Sequence, residues 1–131
     1  MKIAAVTEDG KTISQHFGRA PYYVVLTVED GRVVAREQRE KMAHGHGGGG
    51  QHVHLEDQPH GFDAASQDTH AHMANPIADC EILLARGMGR GAHHSLSQAG
   101  IRPIITDIAS IDAAVEAYLA GALVDHIERL H

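Results

Sequence analysis

The sequence predicts an α/β domain of three layers, in which a five-stranded mixed sheet carries helices on both faces. Short apolar runs bounded by turn residues alternate with segments of helical apolar spacing, and the predicted order of elements is β-β-β-α-β-α-β-α. Right-handed crossovers are expected to join the last strands in parallel. At 131 residues, the chain fits a single domain, 1–131, with one hydrophobic core.

The first part of the chain predicts three strands. Residues 3–6 form a continuous apolar run, which is typical of a strand buried on both faces. A loop over residues 12–21 follows. Residues 22–28 and 33–38 then predict an antiparallel pair, because Asp30-Gly31 between them is a strong hairpin signal. We expect the third strand at a sheet edge, where its charged side chains discourage further pairing.

Residues 63–100 predict two helices with a strand between them. Residues 63–74 can form a helix, and Pro76 prevents a regular helix from running on towards the next strand. Residues 81–85 predict a buried strand. A helix over residues 92–99 follows, and Gly100 is expected to end it as a left-handed cap.

The last strand and the last helix follow from the remaining residues. Residues 101–106 predict a strand in which Pro103 requires an edge position. Ser110 is expected to cap the final helix, Gly121 is a point of interruption, and residues 124–131 are expected to continue the helix briefly. The apolar stripe of this helix repeats at helical spacing and comprises Ile111, Ala114, Val115, Tyr118, Leu119 and Ala122.

Charge and cysteine content limit the possible partners. The formal net charge is -6 with neutral histidines and no basic cluster is present, which argues against nucleic acid or an anionic membrane as the main partner. Cys80 is the only cysteine, which excludes an internal disulfide and a four-thiolate metal site within one chain. We expect Cys80 to be an inert packing thiol, so any metal must rely on histidine. The chain lacks a signal-peptide layout and a transmembrane-length apolar run, so we expect a soluble cytoplasmic protein whose oligomeric state stays open.

A histidine- and glycine-rich insert occupies about residues 42–73. It holds seven of the twelve histidines and shows no apolar periodicity, so it cannot build a core of its own. Two pairs of histidines flank the run of glycines at 47–50, and a hinge there could bring four imidazoles around one cation such as zinc or nickel. The alternative is a polar loop with incidental histidines. The candidate metal ligands are His44, His46, His52 and His54.

His16 is a second candidate ligand. It lies in the loop after the first strand, at the carboxyl end of the sheet, where open α/β sheets place ligands. The alternative is a capping or packing histidine. Phe17, which follows it, is expected to belong to the core, and Gly18 is expected to serve the turn.

A glycine-rich turn joins the strand of residues 81–85 to the next helix. Its amides and the helix dipole can face an anion, such as the sulfides of a cluster or a phosphate, although the glycines could also serve only a tight turn. The spacing fits neither the dinucleotide fingerprint nor the phosphate loop. Met88 between two glycines could be exposed, and at most one of His93 and His94 is expected to face the site. The candidate cofactor-binding residues are Gly87, Met88, Gly89, Arg90, Gly91 and His93.

Three stretches of the sequence carry a resemblance to a known family. They are the opening KIAAVTEDGKTISQHFGRAPYYVVLTVEDG, the variable His/Gly loop, and ADCEILLARGMGRGAHHSLSQAGIRPIIT. The chain thereby resembles the dinitrogenase iron-molybdenum cofactor biosynthesis family over nearly its whole length. The sharpest matches are Ser14 with His16-Phe17-Gly18, Asp79-Cys80, and Gly87-Met88-Gly89. The long insert and Pro76 are departures from the family pattern.

The resemblance implies a fold and a function. The implied fold is ribonuclease H-like, and the implied function is non-enzymatic binding of an iron–sulfur or molybdenum–iron–sulfur type cluster, or its precursor, on the way to an acceptor. The expected partners are metallocofactor donor and acceptor proteins, and the cluster is expected to be absent from purified protein. Nitrogenase maturation itself does not follow, because many relatives occur outside nitrogen-fixing organisms.

Two other function classes are alternatives to a cluster carrier. A His-rich buffer or chaperone for zinc, nickel, cobalt or copper would use the insert without sulfide. A two-metal hydrolase would need carboxylates on the first strand, whereas residues 3–6 carry none, and the acidic surface would repel a polyanion. We therefore expect a protein without catalytic residues.

Overall fold

The computed structural model describes residues 1–41 and 74–130, and these residues contain one five-stranded open sheet. The strands are β1 (Lys2–Thr7), β2 (Tyr22–Glu29), β3 (Arg32–Glu40), β4 (Ile82–Ala85) and β5 (Arg102–Ile105). Their order across the sheet is β3-β2-β1-β4-β5. The β1–β2 and β2–β3 pairs are antiparallel, whereas β1–β4 and β4–β5 are parallel, which confirms the predicted mixed sheet.

Both predicted edge strands lie at the edges of the sheet. β3 is paired on one side only, as its charge pattern predicts. β5 forms the other edge and accommodates Pro103 there, because an edge strand can spare one backbone donor. β1 lies in the centre, and the side chains of Ile3, Ala4, Ala5 and Val6 are fully buried on alternating faces.

In the described part of the chain, one helix packs on each face of the sheet. Helix α1 (Arg90–Gln98) buries Ala92 and Leu96 in the core cluster that contains Val6 and Leu83. Helix α2 (Ile111–Leu119) packs on the opposite face through Ile111, Ala114 and Val115. The hydroxyl of Ser110 accepts the N–H of Ala113 at 3.1 Å, which confirms the predicted cap. Within the described ranges, neither helix is long and apolar enough to cross a bilayer.

The predicted interruption of α2 at Gly121 is confirmed, but the apolar stripe ends before Ala122. The helix ends at Leu119, and Gly121 follows with a φ of +74°. Because this left-handed residue redirects the chain, Ala122 is exposed and does not continue the apolar stripe. The predicted helical continuation over residues 124–131 is also wrong for the described residues, where only a 3₁₀ turn, Ile127–Arg129, occurs.

The C-terminal segment instead protects the edge of β5. The N–H of His126 donates to the carbonyl of Ile105 at 2.7 Å, and the Asp125 carboxylate accepts the N–H of Ile105 at 3.0 Å. These two bonds satisfy the exposed donor and acceptor of an edge residue. Apolar periodicity cannot reveal such a role, because the segment contributes backbone and side-chain polar groups rather than a buried stripe.

The connection between β3 and β4 is described only in part. The predicted helix over residues 63–74 and the insert over residues 42–73 lie outside the described residues, apart from Ala74. Pro76 lies in a 3₁₀ turn, Asn75–Ile77, so the expectation that no regular helix runs through this proline is confirmed.

The charges of β3 do more than discourage edge pairing. Arg36 donates to Asp112 of α2 and to the carbonyl of Gly10, both at 2.7 Å. Arg39 donates through both terminal nitrogens to Asp79, at 2.8 and 3.1 Å. The edge strand is therefore tied to both faces of the molecule by its own arginines.

Asp79→Asn is expected to lower the free energy of unfolding by about 1 kcal/mol or less, because this ion pair is partly exposed. Hydrogen bonds from Arg39, and then from Lys2, hold the pKa of Asp79 well below its usual range. A depressed carboxyl pKa stabilises the fold above the unfolded pKa of about 3.9, and this stability is lost as pH falls through the folded pKa. The free energies of unfolding of wild type and Asp79→Asn are measured with urea near pH 7 and near pH 3. The difference between the two proteins should be smaller near pH 3. Glu81→Gln, which changes an exposed carboxylate, is the control. A stability difference between wild type and Asp79→Asn that is the same at both pH values would contradict the lowered pKa of Asp79.

Candidate functional site

The two candidate loops meet at one point of the sheet. β1 and β4 are adjacent and parallel, so the loops that leave their carboxyl ends emerge side by side. The chain turns from β1 towards β2 on one side, and from β4 towards β5 on the other. This is the topological switch point of the sheet, where open α/β folds form a crevice for ligands. The sheet thus brings the His16 loop and the glycine turn together.

Backbone hydrogen bonds join the two loops directly. The N–H of Arg86 donates to the carbonyl of Ser14 at 3.0 Å, and the N–H of Phe17 donates to the carbonyl of Gly87 at 3.2 Å. A Cβ atom on Gly87 would lie 2.4 Å from the carbonyl oxygen of Gln15. Glycine is required at this position because the two backbones approach so closely.

Ser14 shapes the loop that carries His16. Its hydroxyl accepts the N–H of His16 at 3.0 Å, and its own N–H donates to the carbonyl of Val6 at 2.8 Å. The carbonyl of His16 accepts the N–H groups of Arg19 and Ala20. The main chain of His16 is therefore fixed on both sides, while its side chain is exposed. A serine two residues before the turn is the sequence signal for this local bond.

The neighbours of these candidates belong to the core. Phe17 is 3% exposed, which confirms its predicted role. Met88 is only 1% exposed and packs in the same cluster as Ala92 and Leu96, so the expectation of an exposed thioether is wrong. The flanking glycines allow the turn, but the side chain of Met88 gains more from burial than a surface position offers.

The start of α1 lies beside the joined loops. Gly89 is the N-cap residue and provides no side-chain cap, so the first amides of the helix are left to other acceptors. Arg90 is exposed, Gly91 and His93 are half-buried, and His94 is exposed. The positive end of the helix dipole is therefore at the same sheet end as His16, where it favours an anion.

A pocket of about 300 Å³ also opens beside His16. Its lining includes Glu8, Asp9 and Arg86. The Asp9 carboxylate is occupied by the N–H groups of Lys11 and Thr12, which lower its pKa to about 2. Asp9 thus holds the turn after β1. Within residues 1–41 and 74–130, no group of three or more His, Cys, Asp or Glu side chains is arranged to hold a metal ion.

Cys80 is far from the joined loops in the sheet. It precedes β4, whose first residues pair with the start of β1, and is therefore at the amino end of these strands. Burial raises the pKa of its thiol to about 12, and the charge of Asp79 adds to the effect. The predicted packing position of Cys80 is confirmed by its burial, and because a nucleophilic or metal-binding cysteine needs an accessible thiolate, its inertness stays a prediction.

Lys41 was not singled out by its sequence. It follows β3 and is only 1% exposed, and its Nζ atom lies 4.7 Å from the centroid of the Phe17 ring. Among the described residues, no carboxylate pairs with this ammonium group. Burial lowers the pKa of Lys41 to about 8. A lysine after a charged edge strand gives no sequence signal of burial.

Lys41→Met is expected to raise the free energy of unfolding near neutral pH, because methionine fills a similar volume without a buried charge. The folded pKa of about 8 lies below the unfolded pKa of about 10.4, so the unfolded state binds more protons between these values. The free energy of unfolding of the wild type should therefore rise as the pH increases between these two pKa values. The difference in this free energy between Lys41→Met and wild type should then become smaller. Urea unfolding of both proteins near pH 7 and near pH 9.5 measures this difference in stability. A stability difference that is the same at both pH values would contradict the prediction.

His44, His46, His52 and His54 lie outside the described residues. Strand β3, which precedes the insert, ends at the same end of the sheet as His16, because Thr7 and Glu40 both align with Tyr22 across the strands.

Comparison with known proteins identifies relatives of this chain. A family profile described as dinitrogenase iron-molybdenum cofactor matches residues 1–121. Among curated proteins, no sequence match was found.

Solved structures share the fold over almost the whole chain. The protein designated PH0822 is 24% identical, with a TM-score of 0.68 over 98% of this chain and 96% of that protein. The apo form of the orange protein from Desulfovibrio gigas is 22% identical, with a TM-score of 0.65 over 96% and 92% of the two chains. A protein from Methanocaldococcus jannaschii, provisionally described as a dinitrogenase, is 12% identical, with a TM-score of 0.64 over 97% and 95%. At these identities the comparison establishes a common fold.

Proposed function

The chain belongs to the dinitrogenase iron-molybdenum cofactor family, and we propose from this premise that it binds an iron–sulfur or molybdenum–iron–sulfur type cluster, or its precursor. The cluster is cargo, received from a donor protein and passed to an acceptor during metallocofactor assembly, without catalysis. The observation that carries the proposal is the junction of the His16 loop with the glycine turn at the β1/β4 switch point. The proposal includes a ribonuclease H-like assignment of the fold and a cytoplasmic location.

The residues at this junction have complementary chemistry for such a cargo. The exposed imidazole of His16 can donate one directional bond to a metal of the cluster. The uncapped amides at the start of α1 can face the sulfides, which carry negative charge, and the exposed Arg90 adds a positive charge there. One side-chain bond supplemented by amide donors suits a carrier, because cargo held by few protein ligands can be released to an acceptor.

Anaerobic reconstitution tests the proposed function. The purified protein is incubated with ferrous iron, sulfide and thiomolybdate, and bound iron, molybdenum and sulfide are measured together with the visible spectrum. We expect metal and acid-labile sulfide in fixed ratio, with charge-transfer bands. Binding of metal without sulfide would reject cluster carriage and favour a histidine-rich metal buffer.

A further inference from the structure

Lys41 carries a buried positive charge that no carboxylate of residues 1–41 or 74–130 neutralises. Its side chain is 1% exposed, and in the described part of the chain its ammonium group has only the Phe17 ring as a charge-stabilising contact. The carboxylate of Asp79 is already occupied by Arg39 and Lys2, and the adjacent Glu40 is exposed. An ammonium group is costly to bury without a counter-charge, so its retention indicates a function.

The position of Lys41 connects this charge to the site. β3 runs in the same direction as β1, because both pair antiparallel with β2, so Lys41 lies at the carboxyl end of the sheet with His16. The backbone N–H of Lys41 donates to the carbonyl of Pro21 at 2.9 Å, which fixes its main chain. Phe17, whose ring contacts the ammonium group, follows His16 and donates its N–H to the carbonyl of Gly87, so its main chain belongs to the joined loops.

We propose that Lys41 is a specificity-determining residue, whose buried ammonium group makes the site prefer a metal–sulfur cluster of net negative charge over a bare divalent cation. The inference rests on the proposed function and adds the charge of the cargo to it. The ammonium group acts through space, because it is buried beside Phe17 rather than exposed to the ligand. Such a charge acts more strongly in a poorly solvated environment than at the surface, and the dipole of α1 acts in the same direction.

The Phe17 ring can keep the charge in place where the described residues offer no carboxylate partner. An ammonium group within about 6 Å of an aromatic centroid is attracted by the ring face, and here the distance is 4.7 Å. A carboxylate partner would hold the lysine equally well but would cancel its field at the site. An aromatic partner leaves the positive charge available to an incoming anion.

The test compares an anionic probe with a cationic one. Affinities for the tetrathiomolybdate dianion and for Zn²⁺ are measured by anaerobic equilibrium dialysis for wild type, Lys41→Met, Lys41→Arg and Arg102→Met. Arg102 is an exposed basic residue at the amino end of β5, so its variant removes the same charge at the opposite end of the sheet. We expect Lys41→Met to lose about tenfold or more in tetrathiomolybdate affinity, without a loss in zinc affinity. Lys41→Arg and Arg102→Met should stay close to wild type.

The outcomes separate this inference from the function on which it rests. Since Lys41→Met is expected to be at least as stable as wild type, its thermal midpoint shows that lost binding is not lost folding. If Lys41→Met binds tetrathiomolybdate as tightly as wild type does, and the wild type loads cluster normally, then the role of Lys41 is overturned and the proposed function is not. A parallel loss for zinc also overturns the role of Lys41. A wild type that loads no cluster on anaerobic reconstitution overturns the proposed function and this inference together.

Discussion

His16→Ala is expected to lose most of its capacity to accept a cluster while keeping its fold. The side chain of His16 is exposed, and the contacts that hold its loop are made by its backbone N–H and carbonyl, which alanine retains. Its stability should therefore stay within about 1 kcal/mol of wild type, as is usual for a surface position. Cluster loading should fall because the remaining amide donors provide electrostatic attraction without a directional bond to a metal.

The measurement is anaerobic reconstitution of four proteins side by side. These are wild type, His16→Ala, the control His94→Ala, and a deletion of residues 43–60 from the insert. His94 is an exposed histidine of α1 and controls for the loss of an imidazole. Bound iron, molybdenum and sulfide should fall in His16→Ala only. Normal loading of His16→Ala, with failure of the deletion, would make the histidine-rich insert the site and replace cluster carriage by metal buffering.

The fold was largely predictable because the strands are buried runs with clear boundaries. Residues 3–6 could be assigned to a central strand since no polar side chain interrupts them, and the hairpin at Asp30-Gly31 fixed the neighbouring pair. The β5 edge was predictable from Pro103. The end of α2 was predicted less well, because Ala122 matches the apolar period and only the positive φ of Gly121 removes it from the stripe.

The positions of the candidate site residues along the chain could be predicted from the sequence, but the contacts between them could not. The positions of His16 and the glycine turn follow from strand ends, whereas the bond between Phe17 and Gly87 depends on which strands are neighbours. Met88 was misplaced since a flexible apolar side chain can leave a turn in either direction. Lys41 was missed because its burial arises from tertiary packing, which a local pattern of charges cannot show.

Gly87→Ala is expected to destabilise the protein by about 1–3 kcal/mol, the usual cost of inserting a methyl group where no space exists. The added Cβ would lie 2.4 Å from the carbonyl oxygen of Gln15, which is a backbone atom and cannot rotate away. The two loops must then separate, and the N–H of Phe17 loses its 3.2 Å bond to the carbonyl of residue 87. Because His16 lies between Gln15 and Phe17, its imidazole should move away from the start of α1.

Gly18→Ala provides the matched control for this substitution. Gly18 belongs to the same loop, its φ is not in the left-handed region, and a Cβ there would meet nothing within 4 Å. Its stability should remain within about 0.5 kcal/mol of wild type, and its cluster loading should be unchanged. Urea unfolding and anaerobic reconstitution of both variants measure the two effects. If Gly87→Ala is destabilised but loads cluster normally, the close approach of the loops serves folding alone, and the amides of α1 need not be held against His16. Loss of loading beyond the fraction unfolded would instead show that the cargo requires both loops in register.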